Sequence, residues 1–407
     1  MMKLISDATN NFLIRLLLML AVPINIVAQT DDSIDGGGKY VHRIEADVLP
    51  SAILHTDKYL RGNNNEGRTM NHAFTARLKY AFQLPEGSVK ASIYRDAYQG
   101  VGVAYHDFNP QLGNPVSVFL FQGARIKRFA PWLSLNYEWN LGLTFGWHPY
   151  NPETNPDNKV IGSRVTAYID ADLYLKWRLA NWLDFNIGPS FIHFSNGNTT
   201  IPNAGLNVIG ARMSLAYYIN RSSVKDEPHR MIKPFHQHVS YDLVLFGAWR
   251  RQGFDSDKGP VALPGKYAVM GFYFSPMYNI NHWFNAGVSM DGVYDRSANL
   301  TLIDDATDYG HNGYEYKNVT SPSSSKQMTL GFSGRAEFVM PYFSINVGIG
   351  RNVINAHGDL KIWYQLLALK LNVTRNAFLH IGYSLQDFKY PNHLMLGVGY
   401  HFNNKRR

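Results

Sequence analysis

The feature that most constrains the fold of this chain is a strict alternation of apolar and polar residues. The clearest segment runs from Trp132 to Trp147, with apolar or aromatic residues at its odd-numbered positions. The segment from 165 to 179 repeats the pattern and carries aspartate, lysine and arginine on its polar face. Because successive side chains of a strand point to opposite faces, each segment predicts a strand with one apolar and one polar face.

Strands of this length exceed those usual in globular sheets. They match transmembrane β-barrel strands, which have an apolar outside and a polar inside. Charged residues make up 17% and aromatic residues 14% of the chain, a composition that excludes disorder. A soluble sandwich is the weaker alternative, because it would have to cover these wide apolar faces. The sequence therefore predicts an all-β, transmembrane, antiparallel up-and-down β-barrel.

Turn signals divide the chain into about sixteen strands, although twelve or fourteen would also fit an even-numbered barrel. The expected strands are 41–49, 72–83, 97–107, 115–126, 132–147, 164–179, 182–196, 204–219, 236–250, 266–278, 283–294, 327–340, 342–351, 359–373, 377–387 and 393–402. Short turns alternate with long connections, as in outer-membrane barrels. The connection at 220–235 is long for the short-turn side, and the sequence offers no account of it beyond a periplasmic excursion.

The N-terminus predicts an export signal over residues 1–28, with basic residues, an apolar core and a small-residue cleavage site ending at Ala28. An uncleaved membrane anchor is the alternative. Residues 29–407 then form the barrel domain. The absence of cysteine excludes thiol nucleophiles and cysteine metal sites. The net charge of +8 favours attraction to anionic lipid headgroups, and no segment resembles a nucleic-acid-binding module.

A histidine and a serine lie on the apolar face of one predicted strand. His193 and Ser195 are two residues apart, so they share a face, and Asn207 is in phase with the apolar face of the next strand. In a membrane barrel that face meets lipid, which suggests a lipid substrate. A serine activated by histidine, with a third residue orienting the imidazole, is the arrangement of acyl-transfer sites.

These residues belong to a longer motif with specific spacing. The motif reads His193-Phe194-Ser195-Asn196-Gly197, then Pro202-Asn203-x-Gly205-x-Asn207. It resembles the signature of the outer-membrane lipid A 3-O-deacylases, the PagL-type acyloxyacyl hydrolases. The resemblance implies hydrolysis of an ester-linked acyl chain of lipid A in lipopolysaccharide, with release of a 3-hydroxy fatty acid. It also implies a site facing the outer leaflet in the outer membrane of a Gram-negative bacterium.

The resemblance implies a role for each matched residue. Ser195 would be the nucleophile and His193 the general base, with Asn196 and Gly197 near the oxyanion. Two further residues would shape the loop: Asn203 and Gly205. No metal or other cofactor is expected; lipid A and outer-membrane lipid are the expected partners, and nucleic acid is not. The oligomeric state is left open.

The sequence departs from the family pattern in two respects. The family has a glutamate at the position of Asn207, and an amide can orient a histidine but cannot stabilise an imidazolium by charge. Four acidic residues of a long loop could substitute for it: Asp304, Asp305, Asp308 and Glu315. Family members are also eight-stranded barrels filled by side chains, about half the expected size. The alternative functions are therefore a porin or channel with a wide lumen, or a structural barrel, each with a degenerate site.

Overall fold

The computed structural model describes residues 40–85, 88–221, 234–256, 259–263, 265–302, 307–310, 313–316, 319–388 and 390–405. The expected signal peptide over 1–28 lies outside these residues. Eight strands form an N-terminal set: β1 Val41–Leu54, β2 His72–Gln83, β3 Tyr98–Asp107, β4 Val116–Ala130, β5 Leu133–Phe145, β6 Val165–Ala180, β7 Leu183–Ser195 and β8 Leu206–Tyr218. Eight form a C-terminal set: β9 His238–Arg250, β10 Tyr267–Asn279, β11 Phe284–Asp295, β12 Met328–Val339, β13 Phe343–Ile354, β14 Trp363–Asn372, β15 Ala377–Gln386 and β16 Tyr390–Phe402.

The strands close into two antiparallel rings of eight. In the first ring β1 pairs with both β2 and β8, and in the second β9 pairs with both β10 and β16. The predicted all-β barrel architecture and its sixteen strands are confirmed. The single wide ring is corrected to two smaller rings, joined by the long connection between Tyr218 and His238 that the sequence left without a role.

The remaining elements are short and lie in connections. Four strands form a small sheet: Gly253–Ser256, Gly259–Ala262, Thr307–Gly310 and Gly313–Tyr316. Two more strands pair with each other: Thr301–Leu302 and Val319–Thr320. Among the residues that the structure describes, the helical segments are the α-helix Val89–Ile93 and three 3-10 helices, Tyr59–Arg61, Ser324–Gln327 and Gly358–Leu360. Within the described residues, no helix is long and apolar enough to cross a membrane.

The interior of the N-terminal barrel is filled by interlocked charges. Arg212 lies 2.8 Å from Asp172 through Nη1 and Oδ2, and Lys79 lies 2.7 Å from Glu138 through Nζ and Oε1. Five further charged side chains complete this network, all buried: Arg43, Glu45, Asp47, Arg77 and Asp170. Because buried charges require partners, ion pairs that reach across the ring hold opposite walls together. An eight-stranded ring is just narrow enough for side chains to fill.

Towards the long loops, the charges give way to an aromatic cluster. Its members are His106, Phe108, Phe119, Trp147, Tyr168 and Phe194. The loops above the barrel also pack on one another. Tyr59 donates from its hydroxyl to Oδ1 of Asn155 at 3.3 Å, and burial raises the pKa of Tyr59 to about 12. This end of the barrel is therefore closed by ordered side chains.

The interior of the C-terminal barrel combines ion pairs with a cavity. Lys370 Nζ lies 2.6 Å from Asp242 Oδ2 and 3.0 Å from Glu337 Oε1. Nearer the long loops, a cavity of about 250 Å³ is lined by residues that include Asp291 and Arg335. Arg335 Nη2 lies 2.6 Å from Asp291 Oδ1. Paired charges thus also fill part of the second ring.

The short-turn end of the second barrel contacts the first barrel at mid-length of β4 and β5. Gln122 lies on the outer face of β4 and is nevertheless fully buried. Its Oε1 accepts a hydrogen bond of 2.7 Å from Nε1 of Trp139, and its Nε2 lies 3.6 Å from Sδ of Met340 in the second barrel. The Trp139 ring meets the Phe343 ring edge-on, with centroids 4.9 Å apart. The barrels therefore pack side by side on outer faces that would otherwise be exposed.

Candidate active site

The candidate site lies where β7 and β8 meet their connecting loop. The two strands pair so that His193 stands directly opposite Asn207. Ile192 and Phe194 are buried inside the barrel, whereas His193, Ser195 and Asn207 are partly exposed. The three candidate side chains therefore project from the outer surface of the barrel, at the long-loop end.

A short hydrogen bond orients the imidazole of His193. Its Nδ1 lies 2.6 Å from Oδ1 of Asn207. An amide oxygen can only accept, so Nδ1 carries the hydrogen and Nε2 keeps its lone pair. This is the tautomer that a general base requires. The amide supplies no negative charge to stabilise a protonated ring.

Ser195 lies one step further along the same face of β7. Two residues of extended strand separate Cα atoms by about 6.6 Å, a span that an imidazole and a hydroxymethyl group together can bridge. Among the described contacts, Ser195 has no hydrogen bond to His193. Hydrogen bonds between catalytic groups are often long in a site without substrate and shorten when substrate binds. The two residues are brought together on one surface, but their contact is not formed.

The loop after Ser195 is held by its own asparagines. The backbone N–H of Asn196 donates to Oδ1 of Asn203 at 2.9 Å, and Nδ2 of Asn203 donates to Oδ1 of Asn198 at 3.2 Å. Nδ2 of Asn196 donates to the carbonyl oxygen of Thr200 at 2.9 Å. The Asn196 N–H is thus already used within the loop.

Two glycines occupy positions that other residues would strain. Gly197 has φ +62° and Gly205 has φ +75°, both in the left-handed region. A Cβ on Gly205 would lie 3.0 Å from Cε1 of His193. The Gly205 N–H donates to the carbonyl oxygen of Val160 at 3.1 Å, which ties this glycine to the loop before β6. Gly205 therefore lets the chain pass close against the imidazole.

Phe194 anchors the site from inside the barrel. It lies between His193 and Ser195 in sequence and is fully buried, with ring centroids 5.1 Å from those of His106 and Trp147. The motif assigns no chemical role to Phe194, although the alternation of β7 already predicts that its side chain points inward. Burying this ring fixes the outward direction of its two neighbours.

The acidic residues considered as substitutes are not brought to the site by any described contact. Asp304 and Asp305 lie outside the described residues. Asp308 and Glu315 stand opposite each other in the small sheet of a C-terminal connection. In the part of the chain that the structure describes, no three histidine or acidic side chains cluster as metal ligands would. Asn207 is the residue hydrogen-bonded to the candidate base.

The fold and its apolar outer surfaces define an outer-membrane β-barrel protein. Two family models match it: "Lipid A 3-O-deacylase (PagL)" over residues 74–216, and "Acyloxyacyl hydrolase, C-terminal domain" over residues 239–404. The chain belongs to the PagL-type acyloxyacyl hydrolase family. The first match covers most of the N-terminal barrel with the candidate site, and the second covers the C-terminal barrel. This chain has twice the number of barrel strands that the motif alone implies.

Solved structures show weaker likeness. The crystal structure of the outer membrane enzyme PagL is 12% identical in sequence, aligns with 42% of this chain and 97% of that chain, and has a TM-score of 0.28. The siderophore receptor PirA from Pseudomonas aeruginosa is 7% identical over 89% of this chain and 80% of that one, with a TM-score of 0.22. The β domain of the Bordetella autotransporter BrkA is 9% identical over 89% and 99%, with a TM-score of 0.21. Comparison with curated proteins finds no match.

Proposed function

We propose that this protein hydrolyses an ester-linked acyl chain of lipid A with Ser195 and His193, at the lipid-facing surface of its N-terminal barrel. The observation that carries the proposal is the hydrogen bond of 2.6 Å between Nδ1 of His193 and Oδ1 of Asn207. It leaves Nε2 free as a base on the same face as a serine. Membership of the acyloxyacyl hydrolase family supports the reaction class.

The surroundings of the site support a lipid substrate. Phe191 is 43% exposed on the outer face of β7, and Ile209 is 47% exposed on the outer face of β8. Phe191 lies on the same face of β7 as His193 and Ser195, and Ile209 lies on the same face of β8 as Asn207. Both are further from the long loops than the candidate catalytic residues. An acyl chain lying along this surface would contact apolar side chains, while its ester would reach the loop end where Ser195 lies.

The reaction needs only groups of this chain and water. Ser195 Oγ attacks the acyl carbonyl carbon and gives its proton to Nε2 of His193, while Asn207 holds Nδ1–H. The Gly197 N–H is the candidate donor to the oxyanion, because Asn196 uses its own N–H within the loop. The carbon–oxygen bond to the sugar breaks, and the sugar oxygen takes the proton from His193. Water, deprotonated by His193, then attacks the acyl carbon; the bond from that carbon to Ser195 Oγ breaks, Oγ takes the proton from His193, and the fatty acid leaves.

The alternative of a wide channel loses its structural basis. A sixteen-stranded ring would enclose an aqueous lumen, but the strands close as two rings of eight. The interior of the N-terminal ring is occupied by buried ion pairs and an aromatic cluster. A structural barrel with an inactive site stays as the competing hypothesis, and the same experiment addresses both.

The test is mass spectrometry of lipid A from outer membranes that contain wild-type protein, Ser195→Ala or Ser321→Ala. Ser321 is an exposed serine in a connection of the C-terminal barrel and serves as the matched control. We expect loss of one hydroxyacyl mass with wild type and Ser321→Ala, and unchanged lipid A with Ser195→Ala. Unchanged lipid A in all samples, with folded and inserted protein, would reject the deacylase. Deacylation by Ser195→Ala would reject the serine mechanism.

A further inference from the structure

The C-terminal barrel touches the loop of the candidate active site. A Cβ on Gly197 would lie 3.1 Å from Cγ and from Cδ2 of Leu394, whose strand β16 belongs to the second barrel. One residue further on, the carbonyl oxygen of Asn198 accepts a hydrogen bond of 2.9 Å from the backbone N–H of Arg251. Arg251 directly follows β9, the neighbour of β16. Two adjacent strand ends of the second barrel thus hold one turn of the first.

We propose that the C-terminal barrel is a positioning element of the active site, with Leu394 as its principal positioning residue. This inference rests on the proposed function, because the turn at Gly197 and Asn198 is the one that presents the candidate oxyanion donor. Leu394 packs against Gly197, and the Arg251 N–H fixes the next carbonyl group. Together they set the direction of the Gly197 N–H relative to Ser195.

The loop needs contacts from the second barrel because two of its consecutive residues have left-handed backbone conformations. Gly197 and Asn198 are consecutive left-handed residues, with φ +62° and +63°. Asparagine tolerates this conformation better than most residues, but it still costs free energy. Contacts from outside the loop compensate for that cost. The side chain of Leu394 occupies the space next to the Gly197 Cα, so the turn cannot relax in that direction.

The second barrel can act as a support because its position is fixed elsewhere. Gln122 and Trp139, at mid-length of β4 and β5, pack against Met340 and Phe343 at the short-turn end of the second barrel. The contact at Leu394 lies near the long-loop ends of β7 and β16. Two contact zones separated along the barrel axis resist tilting of one barrel against the other. The turn is thus held against a rigid body.

The kinetic test compares Leu394→Ala with Leu396→Ala in the full-length protein. Both leucines lie on the outer face of β16, but Leu396 is 48% exposed. Misplaced catalytic groups slow chemistry more than binding, so we expect Leu394→Ala to lower kcat about tenfold or more and to change KM little. Leu396→Ala should match wild type. A Leu394→Ala enzyme with wild-type kcat, shown to be folded, would overturn the inference.

A spin label measures loop order without relying on activity. The chain has no cysteine, so Thr200→Cys introduces a single labelling site in the loop. We expect the label to become more mobile with Leu394→Ala and to be unchanged with Leu396→Ala. If the wild-type protein is inactive but the mobility of the label depends on Leu394, the proposed function is rejected and the contact of Leu394 with the loop is retained as a positioning contact. If the wild-type protein is active and neither kcat nor the mobility of the label depends on Leu394, only the positioning role of Leu394 is rejected.

Discussion

Nδ1 of His193 lies 2.6 Å from Oδ1 of Asn207, and the two residues stand directly opposite each other on β7 and β8. Strand pairing alone therefore places the third member of the candidate triad. An amide at this position can fix the tautomer and the ring orientation. It cannot stabilise by charge the imidazolium that forms as Ser195 loses its proton. Orientation and charge stabilisation, which a carboxylate supplies together, are separated here.

The first prediction concerns this separation. Asn207→Glu restores a carboxylate opposite His193 and should raise the deacylation rate, because the carboxylate stabilises the charged ring. Asn207→Ala removes the acceptor and should lower the rate by about 10²-fold or more, since the ring loses its orientation. Initial rates on purified lipopolysaccharide, with fatty acid release as the readout, distinguish the variants. Equal rates in all three proteins would exclude Asn207 from the mechanism.

The second prediction concerns the close passage of the chain at Gly205. Gly205→Ala would place a methyl group 3.0 Å from Cε1 of His193, at a φ of +75°. The ring must then shift, and we expect at least about a tenfold lower kcat. Gly67→Ala is the matched control, because Gly67 also has a positive φ but no atom within 4 Å of an added Cβ. If both variants lose the same activity, backbone strain rather than the ring contact is responsible.

The barrel strands could be predicted from the sequence because their signal is local. The expected strand 72–83 coincides with His72–Gln83, and the expected strand 377–387 matches Ala377–Gln386 to within one residue. Ring closure could not be predicted in this way, since alternation looks the same whether β8 pairs with β1 or with β9. The choice depends on side chains that meet where β8 closes against β1, such as Arg212 and Asp47, which lie 3.1 Å apart through Nε and Oδ2.

The residues of the candidate site also divide into those that the sequence predicts and those that depend on tertiary packing. His193, Ser195 and Asn207 share an outer surface, as spacing and phase predict. The buried anchor Phe194 was also visible in the alternation but carries no chemistry that would single it out. Leu394 could not be found, because its contact with Gly197 depends on how two complete barrels pack. Sequence reasoning reaches residues on paired strands and misses those that another barrel supplies.

The third prediction concerns Phe194 as an anchor. Phe194→Ala should destabilise the N-terminal barrel by about 3–5 kcal/mol, the usual cost of deleting a buried aromatic ring. Phe191→Ala removes a 43% exposed ring from the same strand and should change stability by less than about 1 kcal/mol. Urea unfolding followed by tryptophan fluorescence is suitable, since Trp147 packs against Phe194. Equal midpoints for the two variants would show that Phe194 is not the anchor.

The last prediction concerns the buried cation of the C-terminal barrel. Lys370 is fully buried, and its Nζ lies within 3.0 Å of both Asp242 Oδ2 and Glu337 Oε1. Lys370→Met keeps the length of the side chain but leaves two carboxylates without their shared cation. Removing one partner of a buried ion pair costs about 3–5 kcal/mol, because the remaining charge stays desolvated.

The matched control is Lys127→Met, which removes an exposed lysine from β4 of the first barrel. Because solvent screens surface charges, this change should alter stability by less than about 1 kcal/mol. Urea unfolding of both variants in the same detergent compares the two positions directly. If the unfolding midpoints of Lys370→Met and Lys127→Met are equal, the two carboxylates are either protonated or hydrated by water that enters the barrel. The C-terminal interior would then be wetter than its ion pairs indicate.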